Sequence, residues 1–182
     1  MIRKSTKSLV IDADIAFSAG DKKAHPVSTR CRKFLETFRK MGHKLLLTKP
    51  ITEEWVKHES PFSLTWRRNM VAKKQVDIVS DYREDRDLRK AIYSLSLSDN
   101  KIEAMLKDAH LVESCLLRDK TVISNEKVVR KLFADSTEQI PELQEIVWVN
   151  PTIQAESPIE WLEAGAPPED QRMLKNYQES ES

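Results

Sequence analysis

Glycine is nearly missing from this sequence, with only 3 in 182 residues. Enzymes that bind nucleotides through glycine-rich loops carry a GxxxxGK[ST] or a GxGxxG motif, and neither occurs here. The GxSxG motif that presents a nucleophilic serine is missing as well. The scarcity of glycine therefore excludes a glycine-based nucleotide cradle.

Cysteine is equally scarce, and the histidines are scattered. Cys31 and Cys115 have no metal-ligand spacing and fall on helical patterns with apolar neighbours, which predicts reduced core thiols in a cytosolic protein. The four histidines form no cluster that favours zinc.

No apolar run approaches the roughly 18 residues of a membrane span, and no signal peptide opens the chain. We therefore expect a cytoplasmic protein without membrane contact.

The charges are unevenly distributed, although the net charge is only +1. Residues 1–74 hold 17 Lys and Arg against 7 Asp and Glu, whereas residues 151–182 hold 2 against 7. A local excess of positive charge favours an anionic partner. An ordinary solvated surface followed by an acidic tail is the alternative.

Hydrophobic patterning predicts strands that alternate with helices. Short apolar runs predict five strands, and apolar residues at helical spacing lie between them; the runs are 8–11, 44–48, 75–79, 121–123 and 145–149. No Asn-Gly or Asp-Gly hairpin turn joins two runs. This order predicts an α/β protein, a three-layer α/β/α sandwich around a mostly parallel five-stranded sheet. We expect one domain over residues 1–150 and an acidic, proline-containing, partly disordered extension over residues 151–182.

Two acids directly follow the first predicted strand. Side chains alternate along a strand, so Asp12 and Asp14 are expected on one side, at the carboxyl end where open α/β sheets bind ligands. The alternative is that one of them caps a helix.

Two further acids belong to the segment 107–126, which predicts a helix, a charged turn and a strand. Asp108 falls on the flank of the apolar stripe of that helix, and Glu126 lies just past the strand. Glu113 falls on the stripe too, so spacing alone does not choose between Asp108 and Glu113. Clustered carboxylates repel unless a hard cation holds them, so we predict that these acids share a Mg²⁺ or Mn²⁺ site.

These residues resemble those of the PIN-domain ribonucleases over about residues 8–150. An apolar strand ends in Asp12-Ala13-Asp14, and the helix after the second strand carries Glu54-Trp55. The long helix contains Asp108-Ala109-His110-Leu111, and the next strand ends in Ser124-Asn125-Glu126. Two departures occur at the last motif, where Ser124 stands for the usual Thr and Glu126 for the usual Asp. The Glu side chain keeps the charge but is one methylene longer.

The resemblance implies an endonuclease that needs Mg²⁺ or Mn²⁺ and cleaves single-stranded RNA. Its metal ligands and catalytic residues would be Asp12, Glu54, Asp108 and Glu126. The supporting residues would be Asp14, Ser124, Asn125 and, as a fallback for Glu54, Glu53. Small members of the family are often toxins held by an antitoxin, and others act in RNA maturation or defence. An inhibitory partner protein and a homo-oligomer are therefore both open.

Basic residues of the N-terminal half would hold the RNA backbone in this interpretation. The candidates are Lys22, Lys23, Arg67 and Arg68. Trp66, which lies beside the two arginines, either stacks on a base or packs in the core.

Two other functions compete with this one. A haloacid-dehalogenase-type phosphatase would use Asp12 as its nucleophile, Asp14 as its acid and Thr48 at the end of the second strand. However, Ala16 stands where that family usually has Thr or Val, and no Gly-Asp-x-x-x-Asp motif follows. The other alternative is a catalytically weak PIN-like module that binds RNA or a protein.

Overall fold

The structure is a computed structural model that describes residues 5–20 and 26–179. Its centre is one sheet of five parallel strands in the order β3-β2-β1-β4-β5. The strands are β1 (Ser8–Ile11), β2 (Lys44–Leu47), β3 (Val76–Ile78), β4 (Thr121–Ile123) and β5 (Val147–Val149). The predicted α/β class with a five-stranded parallel sheet is confirmed.

Helices cover both faces of the sheet and complete a three-layer α/β/α sandwich. They are α1 (Ala13–Ser18), α2 (Pro26–Met41), α3 (Lys49–His58), α4 (Pro61–Ala72), α5 (Arg86–Tyr93), α6 (Asp99–Leu116), α7 (Lys127–Asp135) and α8 (Pro158–Glu163). No helix among residues 5–20 and 26–179 combines the length and the apolar character that a membrane span requires.

The central strands are apolar on both faces because helices cover both. Leu9, Val10 and Ile11 of β1 are fully buried, as are Val122 and Ile123 of β4. Such continuous apolar runs are typical of parallel strands that lie between two helical layers. The centre of the core is therefore the middle strand β1 and its neighbour β4, which pairs with it in parallel.

The strand order creates a topological switch point between β1 and β4. From β1 the chain proceeds outward to β2 and β3, and it then returns to the other side of β1 to form β4 and β5. Ligands of open α/β sheets bind in the crevice that this reversal leaves at the carboxyl ends of the strands. The residues that follow β1 and β4, Asp12 and Ser124, meet at this crevice.

The structure differs from the prediction immediately after β1. The strand ends at Ile11, and Asp12 is the N-cap of α1, where its side chain accepts a hydrogen bond from the Asp14 N–H (3.5 Å). Asp12 and Asp14 therefore belong to a helix start rather than to alternating strand positions, as the N-cap alternative stated. The helix α3 begins at Lys49, directly after β2, because Thr48 takes the N-cap position and Pro50 fits the first turn.

The C-terminal segment packs against the rest of the domain through residue 179. Helix α8 lies against α2 and buries Trp161 and Leu162. Leu174 is buried as well, and the Arg130 guanidinium lies 4.2 Å from the centre of the Tyr177 ring. Apolar and aromatic side chains thus connect this acidic, proline-containing segment to the domain. Residues 180–182 lie outside the described part.

Trp66 belongs to the core, which decides between its two predicted roles. It is 4% exposed, stacks on Trp55 with ring centres 5.8 Å apart, and donates its indole N–H to the Leu35 carbonyl. It is therefore not a surface for nucleobases.

The thiols are core groups as predicted, since Cys31 and Cys115 are free and buried, and burial raises the pKa of Cys31 to about 12.

Candidate active site

A cavity of about 860 Å³ opens at the carboxyl end of the sheet, beside the switch point. Carboxylates from four helices line it. Asp12 and Asp14 come from the start of α1, Asp108 from the middle of α6 and Glu126 from the N-cap of α7, and α3 contributes Glu53 and Glu54. The structure thus brings together all six acids that the sequence singled out as catalytic or supporting.

Ser124 joins the acids of α1 to the end of β4. Its hydroxyl oxygen lies 2.8 Å from Asp12 Oδ2 and 3.1 Å from Asp14 Oδ2, and it accepts the Glu126 N–H. A hydroxyl carries one proton, so it donates to only one of the two carboxylates at a time. The Asn125 N–H provides a second donor to Asp14 Oδ2 (3.1 Å). Ser124 therefore hydrogen-bonds to the aspartates of α1, and Asn125 to Asp14.

The cavity disfavours the ionised form of three aspartates. Burial raises the pKa of Asp12, and burial together with the Asp12 charge raises the pKa of Asp14 well above its usual range. Burial raises the pKa of Asp108 to about 7, with further contributions from Asp12, Glu126 and Glu54. Side chains this costly to ionise are common at functional sites.

The donor atoms match the chemistry of a hard divalent cation. All six acids offer oxygen ligands, and Asp14 Oδ1 is buried without any hydrogen-bond partner. A buried acceptor that lacks a donor is a costly arrangement that a cation would relieve. Over residues 5–20 and 26–179, however, no three His, Cys, Asp or Glu side chains are arranged so that they could hold an ion directly. A complete ligand set therefore requires side-chain rotation.

The two glutamates at the mouth of the cavity have room for that rotation. Glu54 is 41% exposed in its side chain and lies 3.4 Å from His58 Nε2. Glu126 is exposed, and its side chain makes no capping bond to α7. Glu53 lies at the mouth too, but it is the charge of Glu54 that contributes to the raised pKa of Asp108. We therefore favour Glu54 over its neighbour as the acid that faces Asp108.

Glu113, the alternative to Asp108 on α6, has a structural role. It is 4% exposed and accepts hydrogen bonds from Arg89 Nη2 (2.6 Å), Tyr82 Oη (3.1 Å) and the Asp85 N–H (2.7 Å). These bonds attach α6 to the segment before α5. Its carboxylate is fully occupied and does not line the cavity, so Asp108 is the acid of α6 that faces the site.

The two predicted basic residues that the structure describes, Arg67 and Arg68, do not line the cavity. Arg67 is held by Glu59 through two hydrogen bonds of 2.8 and 2.7 Å, and Glu59 is only 6% exposed in its side chain. Arg68 is exposed but does not line the cavity. Lys22 and Lys23 lie outside the described residues. The cations that line the cavity include Lys49 and Lys107, whose positions the local charge pattern did not single out.

The ion pair between Arg67 and Glu59 predicts that Arg67 stabilises the fold rather than binds RNA. We expect Arg67→Ala to lower the free energy of unfolding by about 1–3 kcal/mol, because it leaves the mostly buried Glu59 without its charged partner. Arg68→Ala, on the neighbouring exposed position, serves as the control and should change stability by less than about 0.5 kcal/mol. Urea unfolding of both variants measures this difference. Equal stabilities would contradict the importance of the Arg67–Glu59 pair.

Sequence reasoning missed several residues that line the cavity. They include Phe17, Lys49, His58, Tyr82, Glu84, Arg89, Lys107, His110 and Val128. Lys107 and His110 flank Asp108 within one helical turn, and His58 lies one turn after Glu54, so helical spacing from the predicted acids could have found these three. No local signal identified Tyr82, because it reaches the site from the loop between β3 and α5.

The clustered acids predict that divalent ions stabilise the protein. At pH 8 we expect about 10 mM Mg²⁺ or Mn²⁺ to raise the melting temperature by about 2–6 °C, because an ion that binds only the folded state shifts the unfolding equilibrium. Potassium chloride at equal ionic strength provides the control for general screening. Asp12→Asn should lose most of the shift. An equal effect of both salts would argue against a bound cation.

Comparisons with known proteins identify no relative of this chain. It matches no protein-family model, and it has no significant similarity to a curated protein or to a solved structure.

Proposed function

We propose that the protein is a divalent-metal-dependent endoribonuclease that cleaves single-stranded RNA and belongs to the PIN-domain ribonucleases. The observation that supports this proposal is the meeting of acids from α1, α3, α6 and α7 in one cavity at the switch point. A structural role gives no reason for such a cluster, because its charges disfavour one another. Binding of a divalent ion and a phosphodiester substrate would explain the cluster.

Each acid has a role in this proposal. Asp12, Asp108, Glu54 and Glu126 would hold Mg²⁺ or Mn²⁺, and Asp14 would lie beside them with its unpartnered Oδ1. When bound, the ion supplies an activated water and neutralises charge on the phosphodiester. The Ser124 hydroxyl and the Asn125 N–H hold the aspartates of α1 in place.

The substrate backbone would be held by cations at the cavity rather than by the arginines of α4. Lys49 lies at the start of α3 and Lys107 precedes Asp108 on α6, so the two flank the acids. Phosphate groups that approach the acids would pass between these ammonium groups.

The free core thiols fit a cytoplasmic location, which we include in the proposal. An inhibitory partner protein and a homo-oligomer stay predictions of the resemblance.

Cleavage of a labelled single-stranded RNA tests the proposal. We expect the parent protein to cut it with Mn²⁺ and not with EDTA, and Asp12→Asn to lower the rate by at least about 100-fold. Glu103→Gln, an exposed acid of α6 outside the cavity, is the matched control and should cut at the parent rate. RNA binding without cleavage by the parent protein would favour the PIN-like binding module instead.

The phosphatase alternative meets two structural difficulties. It needs Thr48 to contact a phosphate, but Thr48 is buried, lies outside the cavity and has its hydroxyl 2.8 Å from that of Ser114. It also needs Asp14 as a free acid, whereas Asp14 Oδ2 accepts a bond from the Asn125 N–H. Hydrolysis of p-nitrophenyl phosphate that depends on Asp12, without RNA cleavage, would support this alternative.

A further inference from the structure

An exposed aromatic ring stands at the mouth of the acidic cavity. Phe17 of α1 is 68% exposed and lines the cavity. Each of the four tryptophans is at most 4% exposed, and Phe34, Phe38 and Phe133 are fully buried, whereas the equally exposed Tyr93 lies away from the cavity. Leaving one phenylalanine in solvent forgoes the stabilisation that its burial would bring. The exposure of Phe17 beside the acids therefore indicates a role in function.

Phe17 is positioned by the same turn of helix as Asp14. Phe17 lies three positions after Asp14, so their side chains project from one face of α1, and both line the cavity. On the other side of the switch point, Val128 is also 68% exposed and lines the cavity. Val128 lies two residues after Glu126. Each of the two motifs that follow β1 and β4 thus carries an exposed apolar side chain next to its acids.

We propose that Phe17 is a stacking platform for an unpaired nucleobase next to the phosphate that is cut, with Val128 as the opposite apolar contact. The inference rests on the proposed nuclease function and specifies its substrate. The acids with their ion, and the lysines, would bind the phosphate group. The aromatic ring beside them would stack on a base. An aromatic face stacks on any base, so it selects for unpaired strands without selecting a sequence. In a duplex both faces of the base are already stacked.

The size of the apolar surface favours a nucleobase over a protein segment. A stable protein interface needs about 800 Å² from each partner, usually with a cluster of apolar anchors. Of the residues that line the cavity, only Phe17 and Val128 are large apolar side chains that the described structure leaves exposed, and Lys49, Lys107 and carboxylates lie among them. One base needs only one ring face, with a charged group nearby for its phosphate.

Binding to oligonucleotides with and without bases tests the proposal. The Asp12→Asn background prevents cutting, and fluorescence anisotropy with Mg²⁺ compares octauridine with an abasic octamer that has the same phosphates. We expect Phe17→Ala and Phe17→Leu to weaken octauridine binding by about 5- to 100-fold and to leave the abasic octamer unaffected. Phe17→Trp should bind at least as tightly as the parent. Tyr93→Ala, an equally exposed aromatic residue outside the cavity, is the matched control.

Three results would overturn the stacking role. They are equal weakening for both octamers, normal octauridine binding by Phe17→Leu, and no binding of octauridine by the protein that carries Phe17. The outcome is separate from that of the cleavage test. If the parent protein cuts RNA but Phe17→Ala binds octauridine normally, stacking fails and the nuclease stands. If nothing is cut but Phe17→Ala selectively loses octauridine, the nuclease fails and stacking stands.

Discussion

Replacing Asp108 by asparagine is expected to slow RNA cleavage by about 100- to 1,000-fold and, in the same protein, to increase stability at pH 8. Asparagine has nearly the same shape but carries no charge, so the substitution removes a proposed metal ligand with little change in packing. The rise in stability follows from the pKa of about 7 that Asp108 has in the folded protein, against 3.8 as its ordinary value. Loss of function through misfolding would give the opposite change in stability.

The direction of the pH effect follows from proton binding. Between about pH 4 and pH 7 the folded protein holds a proton on Asp108 that the unfolded chain releases, so stability falls as pH rises through this range. Without metal, wild type is thus expected to be less stable at pH 8 than at pH 5. Asp108→Asn lacks this contribution and should gain at most about 4 kcal/mol at pH 8, with almost no gain below pH 4.

Urea unfolding in EDTA at pH 5 and pH 8, together with the cleavage assay, measures both effects. Glu103→Gln removes an exposed acid from the same helix and is expected to change neither. If Asp108→Asn is less stable than wild type at pH 8, the raised pKa of Asp108 is contradicted. If the variant cuts RNA at the normal rate, Asp108 does not hold the proposed ion.

The sheet was predictable because its strands are short continuous apolar runs separated by helical patterns. The predicted residues 8–11 and 121–123 coincide with β1 and β4, the strands whose ends form the site. Local patterns failed where a single side chain decides the structure. Asp12 ends β1 by capping α1, and this short helix has too few residues for a periodic apolar stripe.

Six of the acids that line the cavity were singled out from the sequence, but Glu84 and the other groups around them were not. Asp12, Asp14 and Glu126 were noticed because they follow predicted strands, whereas Glu54 and the choice of Asp108 over Glu113 rested on the resemblance to the PIN-domain ribonucleases. A lysine at the start of α3 has no such signal. Arg67 and Arg68 looked suitable because they are adjacent and basic. The partner that occupies Arg67, Glu59, lies eight residues away across the start of α4, and local spacing did not reveal this contact.

Glu113→Ala is expected to cost about 3–5 kcal/mol of stability, the largest loss that we predict for a single polar side chain here. The substitution removes the charge that Arg89 faces and leaves the Tyr82 hydroxyl and the Asp85 N–H without their acceptor. It also opens a void where Glu113 is 4% exposed. Because the bonds of Glu113 attach α6 to the start of α5, we expect the loss to appear as global unfolding at lower urea concentration.

Glu113→Gln separates this structural role from a role at the metal. Glutamine keeps an oxygen acceptor and nearly the same volume, so we expect a smaller cost of about 1–3 kcal/mol, with the Mg²⁺-dependent rise in melting temperature preserved. Asp108→Asn should do the reverse, abolishing that rise while increasing stability at pH 8. The two variants neutralise acids on one helix, and opposite outcomes would assign the metal to Asp108. Loss of the Mg²⁺ effect in Glu113→Gln without loss of stability would assign it to Glu113 instead.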